Sequence, residues 1–341
     1  MKTKNIVTIG GGTGNFTLLN GLKKYPVNIS AIVSMVDDGG STGVLRDELG
    51  VLPPGDVRQC LVALSESSDE LRDLMNYRFE EGGLNGHNFG NLFLSALEKT
   101  NESFSKAVKK ASKILKVNGE VIPVTDQDTN LFIELKNGKV LSGENEINRS
   151  FEIEKVGIKK IYLSPKAAVN REAIERIMEA DLVIIGPGNY YCSLVPNFLV
   201  KGIAEAIRKT KAKIVFNCNL VNKKGHTEKF SVDDYVDSMN GYIGEKRIDF
   251  VTFNTEKPNR SLIKKYESQR ELMVKLKKNE RKRNYKIIRA DILSNQKPSY
   301  SRADTLSSLR SFIRHDEDEL ARILMMILEI GNYKNIIKEI I

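Results

Sequence analysis

Tryptophan is absent from this 341-residue chain, and cysteine and histidine occur only three times each. Cys60, Cys192 and Cys218 lie far apart with no CxxC spacing, so they build no disulfide framework and fit a reducing compartment. His87, His226 and His315 are equally dispersed, which excludes a zinc-ligand motif. No apolar run reaches the ~18 residues that a membrane-spanning helix needs. The N-terminus does not read as a signal peptide, because Met1 to Lys4 passes at once into the strand-like Ile6 to Ile9 and then into glycines. These absences lead to the expectation of a cytoplasmic protein without membrane insertion.

The chain has the composition of a globular protein with a sizeable core, 40% hydrophobic and 28% charged. The net charge of +9 hints at nucleic acid, but its distribution weakens the hint. Residues 256–286 hold 12 basic and 4 acidic side chains, while residues 1–100 hold 9 basic and 12 acidic. The glycine motifs therefore sit in the acidic part. In the basic segment the aromatic interleaving is limited to Tyr266 and Tyr285. Nucleic acid remains a lesser reading beside a solvated basic helical surface segment over 256–286.

Periodicity predicts a parallel α/β chain. Asn5 to Ile9 reads as a buried strand, Gly10 to Gly14 as a tight turn, Phe16 to Lys23 as a helix and Ile29 to Val36 as a second strand. Helices are expected at Val57 to Leu64, Asp69 to Phe79, Asn88 to Lys99 and Phe104 to Leu115. Residues 120–163 differ. Short strands at Val121 to Val124, Asn130 to Leu135 and Lys139 to Leu141, an Asn137–Gly138 hairpin turn, and alternation from Phe151 to Leu163 predict either a small mixed-strand, antiparallel insertion or an extension of the sheet. The α/β pattern resumes with helices at Arg171 to Ala180, Leu199 to Thr210 and Ser231 to Gly241. Strands at Asp181 to Ile185, Lys213 to Asn217 and Ile248 to Asn254 alternate with them. A late helix covers Glu317 to Glu329. The expected organisation is one domain over residues 1–330 with a tail at 331–341.

The chemistry-bearing motifs fall at predicted strand ends. Gly10-Gly-Gly-Thr-Gly14 follows a strand and opens a helix, where backbone N–H groups face an anion and Thr13 adds a hydroxyl. It lacks the Lys-Ser/Thr ending of a Walker loop and matches a dinucleotide fingerprint only in part. Ser34-Met-Val-Asp-Asp-Gly-Gly-Ser-Thr-Gly43 begins at the carboxyl end of the second strand. Its adjacent acids, Asp37 and Asp38, suit hydroxyl recognition or a Mg²⁺ held against a diphosphate, and Ser41 and Thr42 add hydroxyls. Arg46 and Arg58 bracket a proline turn that contains Asp56, and guanidinium groups suit phosphate. Gly86-His-Asn-Phe-Gly-Asn91 opens a helix, with His87, Asn88 and Asn91 available for polar recognition. Gly186-Pro-Gly188 with Asn189 and Ser193 forms a candidate second wall, and Asn217 with Asn219 stands at another strand end. Each motif also has a plainer use as turn, cap or ion pair. Nothing marks Cys218 as a nucleophile.

Taken together, Gly10–Gly14, Ser34–Arg46, Pro53-Pro-Gly-Asp-Val-Arg58, Gly86–Leu94 and Ile185–Asn189 make the chain resemble the YvcK/CofD-like family, over about residues 4–325. The resemblance implies a Rossmann-like, three-layer α/β/α fold with a mainly parallel sheet. One branch of the family transfers a 2-phospholactyl group from a guanosine-diphosphate-linked donor to a deazaflavin. The other, the YvcK or gluconeogenesis-factor branch, is linked to carbon metabolism, cell shape and cell-wall synthesis, and binds UDP-sugars such as UDP-N-acetylglucosamine. The Asp37 to Arg46 run is more like the second branch. By the same resemblance Gly11, Gly12, Thr13 and Gly14 face the nucleotide, Asp37 and Asp38 form the acidic loop, Asn189 belongs to the second glycine turn, and Tyr266 lies near the nucleotide sugar. From Glu271 to Lys286 the chain departs from the family pattern in being strongly basic. The leading expectation is a nucleotide-sugar-binding regulator that requires no cofactor, signals to a regulatory protein partner and could form a homo-oligomer. The alternative is a transferase in which Asp37 or Asp38 assists and Mg²⁺ holds the diphosphate.

Overall fold

The computed structural model describes residues 3–277, 283–296 and 311–330. The chain opens with strand β1 (Lys4–Gly10), helix α1 (Thr13–Leu22) and strand β2 (Val27–Val33). Five helices follow: α2 (Gly40–Leu49), α3 (Gly55–Leu64), α4 (Asp69–Asn76), α5 (Phe89–Lys99) and α6 (Phe104–Ile114). Then come β3 (Glu120–Pro123), β4 (Asn130–Leu135), β5 (Val140–Ser142), α7 (Gly143–Arg149), α8 (Glu152–Val156) and β6 (Ile158–Ser164). The second half runs α9 (Arg171–Glu179), β7 (Leu182–Ile185), α10 (Val195–Leu199), α11 (Ile203–Lys209), β8 (Lys213–Asn217), α12 (Val232–Ile243) and β9 (Phe250–Asn254). It closes with α13 (Arg260–Ser268), β10 (Lys286–Ala290) and α14 (Glu317–Glu329).

Among the described residues, seven strands pair in the order β10-β9-β8-β7-β1-β2-β3, every pair parallel. The central strands are short apolar runs because helices cover both faces, and β7 is buried throughout. The architecture is three-layered, α/β/α. In one helical layer α1 packs against α3 and α14; in the other α9 contacts α11, and α10, α11 and α12 contact one another. Strands β5, β4 and β6 form a separate antiparallel sheet. From β1 the chain proceeds through β2 to β3 in one direction and later through β7 to β10 in the other. The strand order therefore reverses between β1 and β7, the place where open parallel sheets leave a crevice beyond their carboxyl ends.

Several expectations change. The 120–163 stretch divides: β3 joins the large sheet beside β2, and the antiparallel sheet takes in Asn130 to Ser164. Phe151 to Leu163 is not one strand, because α8 occupies its first part and Gly157, at φ +85°, ends the helix before β6. The Asp37 to Arg46 segment is a loop only as far as Gly39; α2 begins at Gly40 and is stopped by Gly50 in the left-handed conformation. Its Gly-Ser-Thr-Gly start is a weak helix former and reads as loop. The helix expected at Leu199 to Thr210 is broken at Gly202, where φ is +119°. Among its described residues, the segment 256–286 is helical over Arg260–Ser268 only, and Lys286 starts β10, the last strand in the described order of the large sheet. The tail at 331–341 lies outside the described residues.

Candidate functional site

A cavity of about 780 Å³ opens at the reversal of strand order. Three ten-residue helices point their N-termini into it. Thr13 and Gly14 begin α1, Gly40, Ser41 and Thr42 begin α2, and Gly55 and Asp56 begin α3, and all line the cavity. The first N–H groups of a helix have no partner within it and carry partial positive charge, so three such ends around one space form an anion receptor. Glycine is required where backbones meet. A Cβ on Gly14 would run into the Pro187 carbonyl oxygen, and one on Gly12 into the side chains of Asp56 and Gln59. The β1 and β7 loops are thus in direct backbone contact. Gly11, Gly12, Gly188, Asn189 and Ser193 complete this wall, and Thr13 Oγ1 donates to Gln59 Oε1 at 3.1 Å.

Asp37 lines the cavity. Its Oδ1 accepts the Gly39 N–H at 2.9 Å and its carboxylate bonds the Thr42 hydroxyl, so it fixes the start of α2. Burial pushes its pKa up, and Asp38 adds to the effect. Glu144, brought in by α7, is pushed well up by burial and by the neighbouring Asp37, Asp56 and Asp38 charges, against the pull of Lys223. Arg58 is 7% exposed and lines the cavity; its Nε donates to Asn91 Oδ1 at 3.0 Å and its Nη1 to Asn76 Oδ1 at 2.7 Å. Tyr266 is buried with its ring on the cavity wall, while its hydroxyl accepts the Phe312 N–H at 2.7 Å.

Six expected site residues stand behind these walls. Asp38 turns to the start of α7, where its Oδ1 accepts the Asn145 N–H at 2.7 Å. Arg46 reaches to Asp128 Oδ1 at 2.8 Å, Asn130 Oδ1 at 2.9 Å and the Asp37 carbonyl at 3.2 Å, so it clasps the β3–β4 connection and does not line the cavity. His87 Nδ1 lies 3.2 Å from Ser41 Oγ and supports that hydroxyl from outside. Asn88 caps α5 by accepting the Asn91 N–H. Asn217 is fully buried, donating to the Gly186 carbonyl at 3.0 Å and accepting from Thr252 Oγ1 at 3.0 Å. Gly186 thereby forms the floor of the β7 turn without lining the cavity. The three thiols are buried and pushed up in pKa chiefly by burial, which leaves them unreactive.

The cavity also takes in residues that no motif announced: Gln59, Arg78, Glu144, Asn148, Arg149, Lys223, Lys224, Lys265 and Arg314. Lys223 and Lys224 follow β8, so their position beyond a parallel strand's carboxyl end was the available signal. Among the described residues, no group of three or more His, Cys, Asp and Glu side chains could hold a metal ion. With Asp38 turned away, a Mg²⁺ here would draw on Asp37 and on ligand oxygens rather than on the adjacent Asp37–Asp38 pair.

The family model for 2-phospho-L-lactate transferase CofD matches residues 6–293. The gluconeogenesis factor of Bacillus subtilis is 37% identical over 326 residues, covering 95% of this chain and 98% of that protein. The gluconeogenesis factor of Halalkalibacterium halodurans is 41% identical over 268 residues, covering 78% of this chain and 82% of that one. A crystal structure of a UPF0052-family protein from Bacillus halodurans superposes with a TM-score of 0.84 at 34% identity, covering 95% of this chain and 99% of that one. With sequence, length and fold shared in this way, the chain belongs to the gluconeogenesis-factor, CofD-like (UPF0052) family.

Proposed function

We propose that this protein is a cytoplasmic regulator that binds a UDP-sugar of the UDP-N-acetylglucosamine type and reports carbon and cell-wall precursor supply, with effects on cell shape. The observation that carries the reading is the convergence of three helix N-termini on one cavity at the strand-order reversal. The diphosphate rests against the N–H groups of Thr13, Gly14, Gly40 and Ser41, with Arg58 alongside. Asp37 accepts a hydroxyl of ribose or sugar. Tyr266 and Asn189 border the remainder of the ligand.

A route to a partner follows from two ties. Asp38 and Arg46 link the segment that starts α2 to α7 and to the β3–β4 connection. A ligand that repositions residues 37–58 therefore moves the small antiparallel sheet, which offers a surface to a protein partner or a second copy. Part of the basic segment's charge is spent within the protein, where Lys277 pairs with Asp234, Arg283 with Asp233 and Arg270 with Glu228, and this weighs against a separate nucleic-acid function.

Isothermal titration with UDP, UDP-N-acetylglucosamine and GDP tests the reading. Binding of both uridine ligands with a clear preference over GDP is expected. Folded protein that binds neither refutes it. Formation of phospholactyl-deazaflavin from a guanosine-diphosphate-linked donor with Mg²⁺ would replace it with the transferase reading.

A further inference from the structure

Beyond the helix N-termini, the cavity has a second positively charged wall. Lys223 and Lys224 lie in the turn after β8, and Arg149 ends α7 across from it. The turn is held by buried polar groups. Thr227 Oγ1 accepts the Lys223 N–H at 3.0 Å and lies 2.9 Å from the Tyr235 hydroxyl, which is also 2.9 Å from Asn222 Oδ1. Asn222 Nδ2 donates to the Phe230 carbonyl at 2.8 Å. Asn222, Thr227 and Tyr235 are 4%, 2% and 0% exposed. Buried polar groups cost stability unless fully bonded, so a chain of them rigidifies what it holds.

Both lysines are kept at the cavity. Lys223 Nζ contacts Asn148 Oδ1, which also accepts from Asn189 Nδ2 at 2.9 Å. Lys224 Nζ stands 4.8 Å from the centre of the Phe151 ring. His226, in the same turn, is pushed down to about 4 by burial and by Lys223, so it is neutral at physiological pH and the charge here belongs to lysine. The diphosphate has its own receptor in the helix ends.

We infer that the Lys223–Lys224 turn receives a second anionic group, so that a uridine diphosphate joined to a carboxylate-bearing sugar binds more tightly than its neutral counterpart. This rests on the nucleotide reading above. The test is titration of the full chain at low ionic strength with UDP, UDP-glucose and UDP-glucuronate. Wild type is expected to bind UDP-glucuronate about tenfold more tightly than UDP-glucose, the scale of one charge-assisted hydrogen bond. Lys223→Ala/Lys224→Ala abolishes that preference and leaves UDP-glucose within about threefold of wild type, whereas Lys223→Arg/Lys224→Arg keeps the preference. Lys224→Ala alone reduces it and serves if the double variant fails to fold. Equal affinity of wild type for the two sugars overturns the inference while UDP binding still supports the nucleotide site. A preference that survives the alanine pair, or an equal loss of all three ligands, overturns it as well. If no uridine ligand binds to folded wild type, the nucleotide reading falls and this inference with it.

Discussion

Gly14 and Gly241 both lie within helices, α1 and α12, so propensity alone predicts that alanine at either position stabilises by about 0.5–1 kcal/mol. The structure separates them. At Gly241 a Cβ meets nothing within 4 Å, and the residue is exposed. At Gly14 it runs into the Pro187 carbonyl oxygen, with the Pro187 carbonyl carbon 2.6 Å and the Gly188 nitrogen 3.2 Å away. Carbon atoms pack at about 3.5–4.0 Å, so the β7 turn would have to retreat by about 1 Å. That turn is tethered. The Gly186 N–H donates to the Ile9 carbonyl at 2.9 Å, Asn217 Nδ2 to the Gly186 carbonyl at 3.0 Å and Asn219 Nδ2 to the Gly188 carbonyl at 2.9 Å.

Losing one such bond with its buried partner left unsatisfied costs about 1–3 kcal/mol, and strain from the inserted methyl adds a similar amount. Against a helical gain below about 1 kcal/mol, Gly14→Ala is expected to destabilise by about 2 kcal/mol or more. Gly241→Ala is expected to stabilise by about 0.5 kcal/mol, the lower figure because it sits near the helix end. Urea unfolding of both variants beside wild type reads the two signs directly. A Gly14→Ala protein as stable as wild type would refute the claim that the two loops meet backbone to backbone. Weaker UDP binding by a destabilised but folded Gly14→Ala protein is the matching functional expectation.

Glu98 accepts the Leu52 N–H, and burial pushes its pKa up to about 7. Between about 4.5 and 7 the native carboxyl therefore holds a proton that the unfolded chain has lost, so this group adds stability as pH falls through 7 and the contribution is lost above it. Glu98→Gln should flatten that dependence and raise the melting temperature at pH 8; a steeper profile would show the opposite shift. Asp38→Ala removes the acceptor for the Asn145 N–H, at a cost of about 1 kcal/mol as for a helix cap, and should speed amide exchange across 143–149 while leaving β1 and β7 unchanged. Tyr235→Phe strips a hydroxyl from between Asn222 and Thr227 and should cost about 1–3 kcal/mol in urea unfolding; a neutral effect would mean that water replaces it.

The parallel sheet was legible because β1, β2, β7 and β8 are short apolar runs, three of which end in or run directly into glycine or asparagine, while Asp37-Asp-Gly-Gly40 follows β2 after three residues, and each signal is local. The same locality made Gly11 to Gly14, Asp37, Gly188 and Asn189 readable as cavity walls. Arg46 shows the limit. Read as loop, it could swing to the phosphate. In the structure α2 starts at Gly40, and six residues at 1.5 Å each carry Arg46 about 9 Å along the axis from the N-terminus where an anion would sit. Asp38 lies behind the cavity wall for a different reason. Its partner, the Asn145 N–H, is 107 positions away in the insertion, and no short-range pattern encodes that pairing.

The net charge of +9 misdirects for a related reason. Cavity cations come from α3, the α4–α5 connection, α7, the β8 turn, α13 and the stretch before α14, while Arg270, Lys277 and Arg283 of the densest basic run pair instead with Glu228, Asp234 and Asp233. What a cation does here depends on which carboxylate the fold sets beside it. The insertion makes the same point structurally. Its helix α7 is bound to the β2 loop through Asp38 and to the β7 loop through the Asn148–Asn189 bond of 2.9 Å. Those two loops carry opposite walls of the cavity, so α7 is tied to both sides of any ligand between them. A change in their separation must stretch one tie or move the helix. With Asp38→Ala the tie to the β2 loop is lost while that to the β7 loop remains, so UDP should then protect α7 from amide exchange less than it does in wild type.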